Sequence, residues 1–366
     1  MPPSLPKIEG GYTRNFGAVT WKDLIIVIDI NGNTLCHKDG IWNIRPTSGD
    51  VPKHRHYPAI AVHKDTLYML FGMMPITMDR WDHYKDVHAL DLNSWRWTTL
   101  RPAGPQPQAC SHMSTWVYRG KIYCFGGMVG HESIFTMTNQ LFCYNTSTNS
   151  WELPASRGKI PSPRLNHSTF VTGDTAFVFG GYEEGSLTND LFILDIVNMI
   201  WTEVHPSLET QACLGPGKRV KHTMTPISIE VAVLSAGYVR QGHCMRYEDG
   251  WLLDTGKVLR GGFAGPASIW KQYSNKEAKI RLGSYDYTVI EPVSKKLWIL
   301  GENSREVKSL PFQAGTSLRD LALERAALSF LDTERPMLEA LELPQDLKHE
   351  LEAYFPRKRD TNAPDC

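Results

Sequence analysis

The stretch RLNHSTFVTGDTAFVFGG, residues 164–181, decides the fold because the chain repeats it. HRHYPAIAVHKDTLYMLFG (54–72), ACSHMSTWVYRGKIYCFGG (109–127) and RVKHTMTPISIEVAVLSAG (219–237) carry the same order of a histidine, an aliphatic run and a closing glycine. The histidines are His56, His112, His167 and His222, spaced 56, 55 and 55 residues apart, and the glycines are Gly72, Gly127, Gly181 and Gly237. A further apolar run follows three of them (DVHALDL, QLFCYN, DLFILDI). Trp42, Trp97, Trp151, Trp201 and Trp251 then recur at intervals of 55, 54, 50 and 50.

A period near 50 with several short strands, a glycine close and a late tryptophan resembles the kelch repeat, which implies an all-β propeller. The glycines admit a tight turn where a side chain would clash. The tryptophans fill the space between blades, since one small sheet cannot bury both faces alone. Two flanking units, RNFGAVTWKDLIIVIDINGNTLCHKDGIWNI and LGSYDYTVIEPVSKKLWILGENSREVKSLPF, are atypical, as terminal repeats are. Counting both predicts a six-bladed kelch β-propeller over residues 10–313, with seven blades as the alternative, and a small C-terminal three-helix box over 316–356.

Composition narrows the function. With 42% hydrophobic residues in 366, a sizeable core is expected. Lys+Arg and Asp+Glu balance at 39 each, so no global basic field points to nucleic acid or an acidic membrane surface. The start, MPPSLPKIEGGY, lacks the pattern of a secretory signal, and the run LIIVI is far too short to span a bilayer. Seven cysteines, odd in number and without a CxxC, fit reduced thiols, and the expected location is the cytoplasm, the nucleus or both.

After residue 315 the period changes. Leu318, Leu321, Ala322 and Ala326 fall on one helical face, with Ser317 and Asp320 at its start. Pro344 opens another helix in which Leu347, Leu351, Tyr354 and Phe355 share a side. Helices this short need a surface to pack on. The segment resembles a SOCS box or the related von Hippel-Lindau box, which docks substrate receptors onto elongin and a cullin. Ser317, Leu318 and Ala326 match the elongin motif, while Ala322 stands where cysteine is usual. Leu338, Leu341, Leu343, Pro344, Leu347 and Leu351 match the cullin part, and Glu342 replaces one proline of its LPLP.

Kelch repeats followed by such a box resemble the kelch-domain substrate receptors of cullin–RING ubiquitin ligases. The resemblance implies a non-catalytic subunit that binds a peptide degron, with elongin B/C, cullin-2 or cullin-5 and a RING protein as partners and no cofactor. The cullin-2 pattern fits without exception, and the cullin-5 pattern fits apart from Glu342 and Glu350. The alternatives are a kelch scaffold without ligase association, since a superfold does not name a function, and an enzyme. For the latter, His54 and His56 share a strand face in HRH, but no third ligand follows at a convincing spacing, so no metal site is expected.

In kelch rings, ligands are read by the loop after the glycines and by residues just before the strand-opening histidine. That rule gives Met73, Met128, Tyr182 and Tyr238, with Arg240 nearby, and Arg55, Ser111, Asn166 and Lys221. Relatives that read a C-terminal glycine hold its carboxylate with two arginines in the loop after the fourth unit's glycines. Here Tyr182 and Leu187 occupy those positions beside Glu183 and Glu184. An enclosed carboxylate without a cation loses its hydration uncompensated, so Lys221, Arg55 and Arg240 are the expected sources of positive charge.

Overall fold

The computed structural model describes residues 17–38, 41–76, 80–131, 134–205, 215–241, 243–247, 249–261, 265–273, 287–290, 297–300 and 307–310. The chain divides into two units, Met1–Pro311 and Phe312–Cys366. The expected helical box falls in the second, outside the described residues.

In the first unit, antiparallel sheets succeed one another along the chain. Four strands, Gly17–Trp21, Leu24–Ile28, Thr34–Lys38 and Ile41–Arg45, form the first blade. The second contains Ala59–His63, Thr66–Leu70, Val87–Asp91 and Arg96–Leu100, and the third Ser114–Tyr118, Lys121–Phe125, Leu141–Asn145 and Ser150–Glu152. Ser168–Thr172, Thr175–Glu183, Ser186–Asp195 and Ile200–His205 form the fourth. The fifth runs through Val220–Pro226, Val231–Gln241, Gly250–Asp254 and Trp270–Tyr273. Tyr287–Ile290, Leu297–Leu300 and Val307–Leu310 are the described strands of a sixth. The first strand of each blade lies against the first strand of the next, and the sixth returns to the first. The ring is closed, so neighbouring blades cover one another's faces and only short edges remain.

Burial follows strand position. The second strands LIIVI, TLYML and KIYCF are buried from their second residue onward, so they read as continuous apolar runs. Outer strands alternate: in Arg96–Leu100 the indole of Trp97 is buried between exposed neighbours. The tryptophans fill the gaps between blades. Trp151 packs on Phe71 of the preceding blade with ring centroids 5.4 Å apart, and Trp201 packs on Phe125 at 4.9 Å. In the fifth blade this position belongs to Trp270, which packs on Phe179 at 5.2 Å. Trp251, expected there from its spacing, lies in the third strand. Two short helices, Thr255–Arg260 and Pro266–Ile269, come between third and outer strands and move the equivalent tryptophan 69 residues past Trp201. Asp254 caps the first of them by accepting the Lys257 N–H at 2.8 Å.

The histidine register is also corrected. The backbone turns into the inner strands of the second to fifth blades through a left-handed residue: Tyr57 (φ 51°), His112 (57°), Asn166 (54°) and Lys221 (52°). His56 stands one place before that residue, His112 at it, and His167 and His222 one place after. The last two are the packing histidines. A side chain added at Gly126 would put its Cβ 2.7 Å from the ring of His167, and at Gly180 3.0 Å from the ring of His222. The first glycine of each pair therefore makes room for the next blade's imidazole. Gly72, which follows Phe71, and the second glycine of the two pairs donate their N–H groups across the gap: Gly72 to Cys110, Gly127 to Arg164 and Gly181 to Arg219, at 2.8–3.0 Å.

Where the other blades have glycines, the first blade has Ile28 and Asp29, and its connection is a tight turn. The buried Asp29 carboxylate accepts the N–H groups of Asn31 and Asn33 at 2.9 and 2.8 Å. This arrangement is a self-bonded aspartate turn.

Candidate functional site at the mouth of the ring

The four left-handed residues form a rim. Asn166 donates its backbone N–H to the His112 carbonyl at 3.2 Å, and Lys221 donates to the Asn166 carbonyl at 3.0 Å. Their side chains close over the axis from different blades. The Lys221 ammonium donates to the Tyr57 hydroxyl at 2.7 Å and lies 4.6 Å from the centre of its ring. The Tyr57 ring in turn stacks on His112, with centroids 3.7 Å apart and planes 29° from parallel. Below the rim is a cavity of about 290 Å³, lined by the opening residues of the inner strands. That is near the lower end of the range for small-ligand pockets.

Lys221 is the one Lys, Arg, Asp or Glu side chain among the described residues lining this cavity. The imidazoles around it are held neutral. Burial pushes His112 well below the usual histidine range, and the Lys221 charge adds to the effect. Burial likewise takes His222 down to about 3, assisted by Arg219, and lowers His167. Hydroxyls and amides complete the lining: Ser114 Oγ and His167 Nε2 are 2.6 Å apart, and Thr115 and Thr169 donate to the preceding inner strand at Ile60 and Thr115. Ile60, Met113 and Met224 add apolar surface, so the lining is mixed, with Lys221 at its lip. It suits the end or a side chain of an extended ligand that brings hydrogen-bond acceptors.

Of the residues expected to read a ligand, Asn166 and Lys221 line this cavity. Met128, Tyr182 and Tyr238 stand on the arms that leave the second strands, paired in register with Ser111, Leu165 and Val220 just before the rim. Tyr182 is 37% exposed, and Met73 is buried against His56. Arg240 lies on the Val231–Gln241 strand opposite Cys244.

Two expectations are corrected. Ser111 is fully buried, its hydroxyl bonded to His83, His112 and the Met73 sulfur. Arg55 is 2% exposed and forms a two-pronged ion pair with Asp86, at 2.7 and 3.0 Å. Its charge is neutralised inside the blade, where hydrogen bonds to Lys53 and Phe71 carbonyls use its other donors. Arg164 with Asp190 and Arg219 with Asp249 repeat the arrangement at 2.7–2.9 Å. The third blade replaces the arginine with Cys110, whose sulfur lies 3.7 Å from the Gly126 carbonyl, the oxygen equivalent to the one each arginine reaches. These clamps fix the approach to the rim and are structural.

Sequence reasoning missed Tyr57 and His112 as rim residues. The available signal was the arginine two places before Tyr57, Asn166 and Lys221, which marks the register more faithfully than the histidines do.

Comparison with known proteins agrees with this geometry. The model of the KLHDC2/KLHL20/DRC7 Kelch-repeats domain matches residues 8–236 and 117–307. Kelch domain-containing protein 2 of Bos taurus is 28% identical over 227 residues, covering 54% of this chain and 52% of that protein. Kelch domain-containing protein 3 of Bos taurus is 33% identical over 127 residues, 32% of each. Acyl-CoA-binding domain-containing protein 4 of Arabidopsis thaliana is 30% identical over 176 residues, 44% of this chain and 25% of that protein. The matches thus span from a quarter to about half of these relatives' own length. The solved structure of YjhT superposes with a TM-score of 0.61 over 84% of this chain and 95% of that one; at 14% identity it speaks for the fold alone. With the family model matched over most of the ring, the chain belongs to the KLHDC2/KLHL20/DRC7 kelch-repeat domain family.

Proposed function

We propose that this chain is the substrate-recognition subunit of a cullin–RING ubiquitin ligase, a six-bladed kelch propeller followed by a three-helix box. The propeller binds a peptide degron at its mouth. The segment 316–356 docks on elongin B/C through Ser317, Leu318, Leu321, Ala322 and Ala326, and on cullin-2 or cullin-5 through Leu343, Pro344, Leu347 and Leu351. It acts in the cytoplasm, the nucleus or both. The observation that carries the binding half is the cavity at the ring's lip, of mixed polar and apolar lining, with Lys221 as the cation its described lining supplies. Asn166, Tyr182, Tyr238, Met128 and Arg240 surround that approach in sequence and register. The chain acts by binding and performs no chemistry of its own. The ligase half rests on the resemblance of the tail and on the similarity to Kelch domain-containing protein 2.

With Arg55 neutralised by Asp86, Lys221 takes the leading place among the expected cations. A C-terminal carboxylate and an internal acidic side chain both suit it, and peptides with free and amidated C-termini separate them. Leu318→Ala should abolish capture of elongin C while the propeller's melting transition stays in place, because truncating a buried leucine anchor costs about 2–5 kcal/mol. Undiminished capture defeats the receptor reading and leaves a kelch scaffold.

A further inference from the structure

Beside the mouth, at the approach to the second blade, two imidazoles face one another. His54 Nε2 and His56 Nε2 are 3.2 Å apart. The two rings meet on one side of the chain, while the intervening Arg55 turns inward to Asp86. Both are held from behind. His56 and Met73 exchange backbone hydrogen bonds at 2.7 and 2.9 Å, and the Tyr84 hydroxyl donates to the His54 carbonyl at 3.2 Å.

The first blade fixes the tautomer. Asn31 Oδ1 lies 3.1 Å from His54 Nδ1. A carbonyl oxygen only accepts, so the hydrogen-bond network assigns the proton to Nδ1 and leaves His54 Nε2 with a bare lone pair. His56 Nε2 then supplies the hydrogen shared between the two nitrogens, and a cation entering there displaces it to His56 Nδ1 or to solvent. An ion of opposite demand fits that place. At metal–nitrogen distances of about 2.1 Å, two nitrogens 3.2 Å apart subtend about 100° at the ion, close to a tetrahedral angle.

We propose that His54 and His56 chelate one zinc-class divalent cation through their Nε2 atoms, with Asn31 holding the His54 ring as an outer-shell partner. Among the described residues no group of three His, Cys, Asp or Glu surrounds a common point. Two coordination positions are therefore left for water or for a donor atom of a bound chain, and copper(II) should bind more tightly than zinc. The site is independent of the ligase reading.

Zinc chloride titrated calorimetrically into the untagged full chain, previously dialysed against chelator, tests this. One ion per chain is expected, with the signal lost in His54→Ala and in His56→Ala and retained in His63→Ala, a histidine of the neighbouring strand. Asn31→Ala should weaken binding about tenfold with both imidazoles still present, an effect that scattered surface histidines would not show. Tryptophan-fluorescence melts establish that each variant folds, and His56→Gln replaces the alanine variant if that one does not. No heat beyond dilution overturns the proposal. So does one-to-one binding that survives the double variant His54→Ala/His56→Ala, or that ignores Asn31→Ala.

Discussion

Removal of Asp190 isolates the contribution of one arginine clamp. Arg164 is 1% exposed and Asp190 7%, so water cannot solvate whichever partner is left. Arg164 directs Nη1 to Asp190 Oδ1 at 2.7 Å and Nη2 to Oδ2 at 2.9 Å, while Nε and Nη1 also serve the Ser162 and Gly180 carbonyls. Asp190→Ala strands a buried guanidinium with two donors unmet, a loss of about 3–5 kcal/mol for a broken buried pair. Glu183, 3.6 Å from Nη2 and 27% exposed, softens that figure, which places the expectation near the lower end. Asp86→Ala should cost less, since Asp86 is 33% exposed and water can reach the gap. Replacing both partners, Arg164→Met with Asp190→Leu, removes the charges together and should recover most of the loss. The third blade already does without the pair, with Cys110 in the arginine's place. Urea midpoints for the singles and the double, taken as a double-mutant cycle, give the coupling. A cost for Asp190→Ala below about 1 kcal/mol would sink the reasoning, because a buried charge would then have lost its partner freely. A double variant no better than the single would do the same.

Gly181→Ala places a Cβ 2.9 Å from the Leu165 carbonyl oxygen on a backbone at φ +105°, and a loss of roughly 1–3 kcal/mol in a urea titration is expected. Acid should destabilise the ring through His222. Its folded pKa, lowered to about 3 by burial and Arg219, lies below the unfolded value near 6.5, so below pH 6.5 the unfolded chain binds the proton and the folded chain does not. Stability is therefore complete above pH 6.5 and falls as pH drops toward 3, by about 2 kcal/mol between 6.5 and 5. His222→Gln, which retains a donor for the Phe179 carbonyl 3.1 Å away, should flatten that slope in denaturation curves at the two pH values. An unchanged slope would move the effect elsewhere. Asp86 follows the carboxylate sign. Burial raises it, but hydrogen bonds from His88 and Arg55 outweigh that and hold it well below the ordinary range. Its stabilisation is present above about pH 4 and is lost in stronger acid, so Asp86→Asn should reduce the remaining acid sensitivity in the same assay.

The blade order was legible because its signals are local. Continuous apolar second strands, closing glycines and outer tryptophans each report one repeat without knowledge of its neighbours. The misplacements share one cause: constant spacing is not constant position. His56, His112 and His167 occupy three successive places around the left-handed turn, so an alignment on histidine slides by a residue at each step. Trp251 sits 50 residues after Trp201 by coincidence, while Trp270 does the packing because two helices lengthen that blade. Arg55 reads as a ligand-binding cation because it stands beside a histidine before a strand. Its partner lies 31 residues downstream, the partner of Arg164 26 and that of Arg219 30, distances only the folded sheet brings together.

Tyr57 and His112 were the least legible of the rim residues, and the reason bears on function. What repeats at Tyr57, His112, Asn166 and Lys221 is a backbone conformation, which four different side chains adopt at about 1–2 kcal/mol each relative to glycine. The same conformation occurs at Lys22, Lys64 and Arg119 in the hairpin turns that follow the inner strands of the first three blades, none of which lines the cavity. Strain alone therefore assigns no role. The four rim positions differ from the turns in what their side chains meet: an ammonium from the fifth blade, a phenol from the second and a neutral imidazole from the third converge over one cavity. Glycine at those positions would keep the backbone hydrogen bonds from Asn166 to His112 and from Lys221 to Asn166 and would relieve the strain. The ring's closure thus has no need of those side chains, whereas a ligand entering the mouth meets them first. Variation at these four places, three of them over arginine clamps and the fourth over Cys110, changes the lining of one cavity while the backbone that carries it stays the same.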